Sequence, residues 1–355
     1  MVTNLLTASQ QWRSRPADER FGNLADLKES VQYRKNSSLE NIVFLHSLKI
    51  VPVKDSISLT YDGQNLDMTN WSFGQLCQLA GAPASYLRTL SPGLVSQNLN
   101  YALPKTRESA KVLLTANGHL EIRAFTSESY GRIWDIDVVR AVEGLCESNP
   151  SWHNPPAYKR TGTDGTEMEN AGLYASDRDV FLFLVDEDHQ IEVNGERLSR
   201  GFFVWNSEVG KSSFGLTTFL YRYVCGNHIV WGAQEVKEIR IRHSLNAPSK
   251  AFSEIIPALR KYVESSSGYE TKVIKKAMEY RPARDKEGTI EWLQRNGFTK
   301  VVSENAYNYA VREEGNATSL WNIVQGLSAM ARDKKHVDVR VDMERQAGRL
   351  LNILN

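Results

Sequence analysis

Long hydrophobic runs, paired cysteines and a large net charge are all missing from this sequence. Its 355 residues include 43 Lys and Arg against 42 Asp and Glu. No apolar run approaches the ~20 residues that a membrane-spanning helix needs, and residues 1–20 lack the basic and apolar stretches of a secretory signal. Cys77, Cys146 and Cys225 lie far apart and are odd in number, which argues against a disulfide scaffold. We therefore predict a globular cytoplasmic protein with free thiols and no membrane contact.

The nearly neutral total charge hides a basic region. Residues 222–300 hold 15 Lys and Arg against 9 Asp and Glu, so the rest of the chain has an excess of acid. Clustered Lys and Arg are what contacts with the phosphates of a nucleic acid require. The alternative is a set of helices whose lysines simply face water, and the charge count alone does not separate the two interpretations.

The order of the local patterns predicts an α+β protein, with an antiparallel β-rich middle and a mostly helical C-terminal third. Strand-like alternation and the hairpin signals Asn117-Gly118 and Asn194-Gly195 fill the middle. Beyond residue 244 the period becomes helical, and strands grouped before helices argue against alternating βαβ units. The predicted segments are a polar N-terminal arm (1–38), a small mixed subdomain (39–105), a β-rich core (106–248) and a helical region (249–355). The candidate helices are 249–265, 269–280, 287–296, 318–332 and 337–354.

One string matches the second half of a phosphate-binding P-loop. Gly210-Lys211-Ser212 fits the end of that motif, but Trp205 stands where the motif requires glycine, and predicted strands flank the segment. We therefore reject nucleotide hydrolysis and keep Lys211 as a group able to hold a single phosphate. Cys225 and His228 lack the further ligands that zinc needs, so no metal or cofactor is predicted.

Aromatic and basic side chains alternate along the strand predicted at 217–224. Tyr221 and Tyr223 share one face of this strand and Arg222 takes the other. Rings that stack on bases, beside cations that hold phosphates, are typical of single-strand-binding surfaces; the alternative is that the rings fill a core. The predicted nucleic-acid-binding residues are Arg132, Lys211, Tyr221, Arg222, Tyr223, Trp231, Arg240, Arg242, His243, Lys272, Lys275 and Lys276.

Several ordered motifs resemble a known family. They are TSESYGRIWDIDVV at 126–139, GFFVWNSEVG at 201–210, FLYRYVCGNHIVWG at 219–232 and SLWNIVQGLS at 319–328. Together they are similar to the phage/plasmid-like proteins grouped as domain of unknown function 932. The resemblance extends over residues 100–355 and implies a protein of bacteriophages, plasmids or other mobile elements. It implies no activity and no catalytic residues.

These observations favour a non-enzymatic protein that binds or anneals single-stranded DNA in recombination or replication and acts as a homo-oligomer. The first alternative is a protein-interaction factor, such as an inhibitor of a host defence system, with a host protein as its partner. The second alternative is a metal-dependent enzyme acting on nucleic acid or nucleotides. Its ligands would come from Glu167, Glu169, Asp177, Asp179 and His243.

Overall fold

Two β-sheets with helices packed against them form the core of this computed structural model. It describes residues 17–106, 109–116, 119–154, 172–222, 227–229, 239–332, 343 and 346–354. The strands of these residues are β1 (Arg20–Phe21), β2 (Ser38–Phe44), β3 (Lys49–Val53), β4 (Ser56–Tyr61), β5 (Gln64–Met68), β6 (Ser109–Ala116), β7 (Leu120–Thr126), β8 (Trp152–His153), β9 (Leu173–Ala175), β10 (Val180–Asp186), β11 (Ile191–Val193), β12 (Glu196–Asn206), β13 (Phe214–Arg222), β14 (Asn227–Ile229) and β15 (Ile239–Ile241).

The fold class is α+β, and the C-terminal third is helical as predicted, because six of the α-helices follow the last described strand. The α-helices of the described residues are α1 (Leu24–Asn36), α2 (Asn70–Leu79), α3 (Ala84–Leu87), α4 (Pro92–Ala102), α5 (Asp135–Ser148), α6 (Ala247–Lys250), α7 (Ile256–Glu264), α8 (Gly268–Glu279), α9 (Lys286–Arg295), α10 (Lys300–Glu314) and α11 (Leu320–Arg332). A π-helical turn, Ala251–Ile255, joins α6 to α7. Within the described part of the chain, no helix is long and apolar enough to cross a membrane.

The first sheet has the strand order β2-β6-β7-β5-β4-β3, and every neighbouring pair is antiparallel except β5 and β7. Asp62 and Gly63 join β4 to β5 with φ angles of 48° and 74°, the left-handed conformation of a tight hairpin turn. Helices α2 and α4 pack on this sheet and share its apolar core. Because β6 and β7 pair with β2 and β5, the predicted boundary at 105/106 falls inside this sheet.

The second sheet has the order β1-β9-β10-β12-β13-β14, with β8 beside β10, β11 beside β12 and β15 beside β13. One face packs on α1, α5 and α7, and the other carries stacked aromatic rings such as Phe183 on Phe219, 4.8 Å apart. Gly201 leaves room for this stack, since a Cβ there would lie 2.1 Å from the Phe219 ring. The aromatic side chains in the middle of this sheet therefore fill a core.

The predicted polar arm at 1–38 is wrong for its second half, because α1 lies there. Asn23 caps this helix by accepting from the Asp26 backbone N–H at 2.9 Å. Leu27 and Val31, one turn apart, are fully buried in the core that α5 and β9 also line. Two apolar positions in an otherwise polar helix make too weak a stripe for periodicity to reveal. Residues 1–16 lie outside the described residues.

Four of the predicted C-terminal helices are confirmed to within two residues, and α10 was not among the predictions. Helix α10 buries Ser303, Ala306 and Ala310, so it presents small residues to its neighbour instead of a stripe of large apolar ones. The contact with α11 is close, because a Cβ on Gly326 would lie 2.5 Å from the Ala306 carbonyl oxygen. Of the predicted helix 337–354, residues 343 and 346–350 are helical and Leu351–Leu354 form a 3₁₀ turn, whereas 337–342, 344 and 345 lie outside the described residues.

Candidate functional site

The turn between β12 and β13 lies where the two sheets meet. It follows Asn206 and precedes Phe214, and no helix begins there, so the prediction that strands flank Gly210-Lys211-Ser212 is confirmed. Gln75 of α2 donates to the Val209 carbonyl oxygen at 2.8 Å, and the Tyr130 hydroxyl donates to the Ser207 carbonyl oxygen at 2.9 Å. The first sheet and its helices thus hold a turn that belongs to the second sheet.

A buried polar cluster lies beneath this turn, and we call Arg34, Arg123, Asp135, Asn206 and Glu208 the interface cluster. Glu208 Oε2 lies 3.1 Å from Arg123 Nη2, and Glu208 Oε1 accepts from the Asp135 backbone N–H at 2.9 Å. Asp135 Oδ1 accepts from Asn206 Nδ2 at 2.7 Å, and its Oδ2 lies 3.7 Å from Arg34 Nη1. Side chains from α1, β7, α5 and the end of β12 therefore meet at one point.

The interior position of Asp135 disfavours the charged form of its carboxyl group. Burial raises the pKa of Asp135 well above its usual value, and the charge of Glu208 raises it further. Arg34, Asn206 and Arg123 act in the opposite direction. The cost of burying the charge is the largest of these influences on the pKa of Asp135. Asp135 and Glu208 are each only about 1% exposed, and the interface cluster joins the sheets.

Arg132, predicted to bind nucleic acid, is buried instead. Its Nε lies 2.8 Å from Glu40 Oε1, and a second guanidinium N–H donates to the Glu208 carbonyl oxygen. The guanidinium also lies 5.2 Å from the centre of the Tyr130 ring and 5.7 Å from that of Trp134. A carboxylate, a carbonyl and two rings compensate the buried charge, and Arg132 is therefore not available to a phosphate at the surface.

His243 is likewise buried. Its ring stacks on Tyr130 with centroids 4.8 Å apart, and Nδ1 lies 3.2 Å from the Gly131 carbonyl oxygen. Burial lowers the pKa of His243 to about 4, with a smaller contribution from Arg132, so the imidazole is neutral at pH 7. A neutral, enclosed ring offers no charge to a phosphate, which corrects the prediction for this residue.

The metal site considered as an alternative does not assemble from the described residues. Asp179 pairs with Lys211, whose Nζ lies 2.5 Å from Asp179 Oδ2, while His243 lies against Tyr130. No group of three His, Cys, Asp or Glu able to hold a metal ion occurs in the part of the chain that the structure describes. Glu167 and Glu169 lie outside it. Lys211, which was also predicted to bind phosphate, is partly exposed, and its ammonium group is ion-paired with Asp179.

The aromatic–basic strand is described only in part. Tyr221 and Arg222 are the last residues of β13, opposite Ser199 and Leu198 of β12, and the description covers their backbone alone. Tyr223 and Trp231 lie outside the described residues. On the other side of β13, the β15 strand exposes Arg240, and Arg242 directly after it is also exposed. The guanidinium of Arg240 lies 5.8 Å from the Trp205 ring.

The predicted lysines of α8 lie on its exposed face. Lys272, Lys275 and Lys276 are all exposed, whereas Val273 and Ile274 of the same helix are buried. Lys276 Nζ donates to the Leu354 carbonyl oxygen at 3.0 Å. Amphipathic spacing explains the division, because the apolar positions recur on one side of the helix.

The segment that contains α8 exposes more basic than acidic side chains. Residues 239–300, which we call the basic segment, hold 13 Lys and Arg, and every one of them is exposed. Of the seven Asp and Glu in the basic segment, Glu270 is buried against Arg200 at 3.2 Å, which leaves six exposed acids. The folded chain thus concentrates the positive excess on its surface.

Sequence reasoning missed most of the interface cluster. Asp135, Asn206 and Glu208 lie in two of the motifs that carry the family resemblance, so their grouping could have been suspected from those strings. Arg34 lies in a helix that was not predicted, and Arg123 lies in a strand where a charged residue ordinarily faces solvent. A single sequence contains no pattern that would predict a buried ion pair for Arg34 or Arg123.

Comparison with known proteins confirms the resemblance to domain of unknown function 932 over part of the predicted range, 100–355. Residues 158–336, just over half of the chain, match the family described as Domain of unknown function (DUF932). No curated protein and no solved structure matches the chain.

Proposed function

We propose that this chain, which belongs to the DUF932 family, binds nucleic acid through the basic segment and performs no chemistry on it. The observation that carries the proposal is the exposure of all 13 Lys and Arg of residues 239–300 beside only six exposed acids. Such a surface attracts the phosphate backbone, and binding gains free energy as counterions leave the nucleic acid. This attraction depends on charge and not on base sequence.

The proposed ligand is single-stranded DNA, bound or annealed during recombination or replication of a mobile element. Tyr221 and Arg222 end β13, and the exposed Arg240 lies on β15, which pairs with the same strand. Stacking of bases on aromatic rings contributes about 1–3 kcal/mol per base and tolerates any sequence. The sequence places the ring of Tyr221 and the cation of Arg222 together at the end of β13, and this combination supports a single-stranded ligand over a duplex.

A non-enzymatic role is supported by the position of the acids. Asp135 and Glu208 are neighbouring buried carboxylates at the junction of the sheets, and they are enclosed by arginines and backbone groups. Acid–base catalysis requires that such a group reach the substrate within hydrogen-bond distance. Their burial suits a structural link between the sheets.

Charge reversal on α8 tests the proposal. The double variant Lys272→Glu/Lys275→Glu changes two exposed residues, and Lys49→Glu/Lys54→Glu is the matched control with the same charge change on exposed residues of the first sheet. Fluorescence anisotropy with a labelled single-stranded oligonucleotide measures both. We expect the affinity of the α8 variant to fall at least about tenfold. The slope of log affinity against log salt concentration should decrease by about two for this variant, and the control should bind like wild type. Equal affinities for the two variants would refute the basic segment as the binding surface.

A further inference from the structure

We propose that two copies of this chain pair through β2, edge to edge, and join their first sheets into one. Among the residues that the structure describes, strand β2 is the last strand of its sheet and pairs on one side only, with β6. The Ser37 carbonyl oxygen accepts from the Ala116 N–H at 2.9 Å, which fixes the alternation of the ladder. The groups that point away from β6 are therefore the N–H and C=O of Ser38, Glu40, Ile42 and Phe44.

The two edge strands of the first sheet, β2 and β3, differ in the residues that hinder pairing with a further strand. The β3 edge carries Lys49 and Pro52, which hinder pairing with another strand. The β2 edge has neither lysine nor proline, and the charge of its single acid, Glu40, is neutralised by Arg132 at 2.8 Å. An unprotected seven-residue edge is a template for a further strand.

Apolar side chains of β2 remain in water in the single chain. Leu39 and Ile42 are each 52% exposed, and Phe44 is 46% exposed. Contact with another strand would remove part of this area from water, which is favourable in proportion to the apolar surface buried. Hydrogen bonding and burial therefore favour the same event.

The outward-facing residues of β2 fit a second copy of itself best in one antiparallel register. With Asn41 facing Asn41 of the second copy, Ser38 meets Phe44, and Glu40 meets Ile42. All four outward-facing residues then find partners, which gives about eight main-chain hydrogen bonds. A shift of one step in the ladder toward Glu40 would pair Ser38 with Ile42 and leave Phe44 without a partner in β2. The Asn41-centred register therefore has the larger number of pairs. This inference does not rest on nucleic-acid binding.

Sedimentation velocity of the full chain tests the pairing. We expect wild type to be a dimer at micromolar concentrations. Ile42→Pro should be a monomer, because residue 42 then lacks the outward N–H that the second copy would bind, while the N–H groups that face β6 are unchanged. Ile42→Val keeps this N–H and an apolar side chain, and this matched control should stay dimeric. Thermal unfolding followed by circular dichroism confirms that each variant is folded. A monomeric wild type, or a dimeric Ile42→Pro, would overturn the proposal.

Cross-linking tests the register. Asn41 faces its copy at a non-hydrogen-bonded position, where the two Cα atoms are about 4.5 Å apart, within the range of a disulfide. Asn41→Cys should therefore form a covalent dimer under mild oxidation that reducing agent releases, and Val53→Cys should not. A dimeric Asn41→Cys protein that forms no more covalent dimer than Val53→Cys would overturn the Asn41-centred pairing.

Discussion

Arg123 of β7 and Glu208 after β12 form an ion pair of 3.1 Å with both side chains almost wholly buried. One residue belongs to the first sheet and the other follows a central strand of the second. Removal of one partner from such a pair leaves an uncompensated charge in a medium of low polarity. The pair therefore links the stability of the two sheets.

Substitution Glu208→Gln should destabilise the protein by about 3 kcal/mol, because Arg123 would lose its counter-charge inside the protein. Glu192→Gln is the control, since Glu192 forms a surface-exposed pair with Arg197 at 3.2 Å. That control should change the free energy of unfolding by less than about 1 kcal/mol. Urea denaturation followed by circular dichroism measures both. Similar changes in the free energy of unfolding for the two variants would show that the buried ion pair contributes no more to stability than the exposed one.

The raised pKa of Asp135 predicts a stability contribution that is lost as pH rises. Burial and Glu208 raise the folded-state pKa, so the folded chain holds a proton that the unfolded chain releases above a pH of about 4. The contribution is complete below that pH and disappears as pH rises through the folded-state pKa. The side-chain amide of an Asp135→Asn variant cannot ionise, so that variant lacks this pH dependence.

The measurement is the free energy of unfolding of wild type and Asp135→Asn over a series of pH values. Arg34, Arg123 and Glu208 remain in both proteins, so their difference isolates the residue 135 side chain. We expect the stability of wild type relative to Asp135→Asn to fall as pH rises. A difference that is the same at every pH would mean that Asp135 has an ordinary pKa in the folded protein.

For His243 we predict the opposite pH dependence, in which the free energy of unfolding falls as the solution becomes more acidic. Its folded-state pKa of about 4 lies below the ordinary value of 6.5, so the unfolded chain binds the proton first. Stability is therefore complete above pH 6.5 and falls as pH decreases toward 4, by about 3 kcal/mol from this residue. His243→Phe keeps a ring against Tyr130 and should lose this acid sensitivity. NMR titration of the imidazole measures the pKa directly, and a midpoint near 6.5 would contradict the assignment.

The segment that matches the family should not fold alone. The core of the second sheet includes Leu27 and Val31 of α1 and Val138 and Val142 of α5, and all four precede residue 158. A fragment of residues 158–336 would expose the surface that these side chains cover. We expect such a fragment to lack a cooperative thermal transition, whereas residues 17–355 should show one. Cooperative melting of the short fragment would show that its core is complete without the preceding helices.

The fold was predictable where the signal is local. Asn194-Gly195 specifies a hairpin because both residues adopt positive φ, 49° and 85°, and the acidic first turn of α5 marks a helix start. Helix α10 escaped prediction because its buried face is made of small residues such as Ala306 and Ala310. Its position depends on contact with α11, and such a contact between distant residues leaves no periodic trace in the sequence.

The candidate site was predictable only for its exposed part. The lysines of α8 could be placed at the surface because apolar residues alternate with them at helical spacing. From the sequence alone, Arg132 and His243 cannot be distinguished from cations at the surface. In the structure, Glu40 and the Glu208 carbonyl group bind Arg132, and the Tyr130 ring stacks on His243. Those partners come from other strands and turns, and pairing over such sequence distances depends on the tertiary fold.

Binding of the wild-type chain to a labelled single-stranded oligonucleotide and to its duplex, each at low and moderate salt, tests nucleic-acid recognition most directly. The exposed basic segment predicts micromolar or tighter binding that falls steeply as salt rises, and Tyr221 beside Arg222 at the end of β13 predicts a preference for the single strand. Absence of binding to both nucleic acids at low salt would contradict the proposed function.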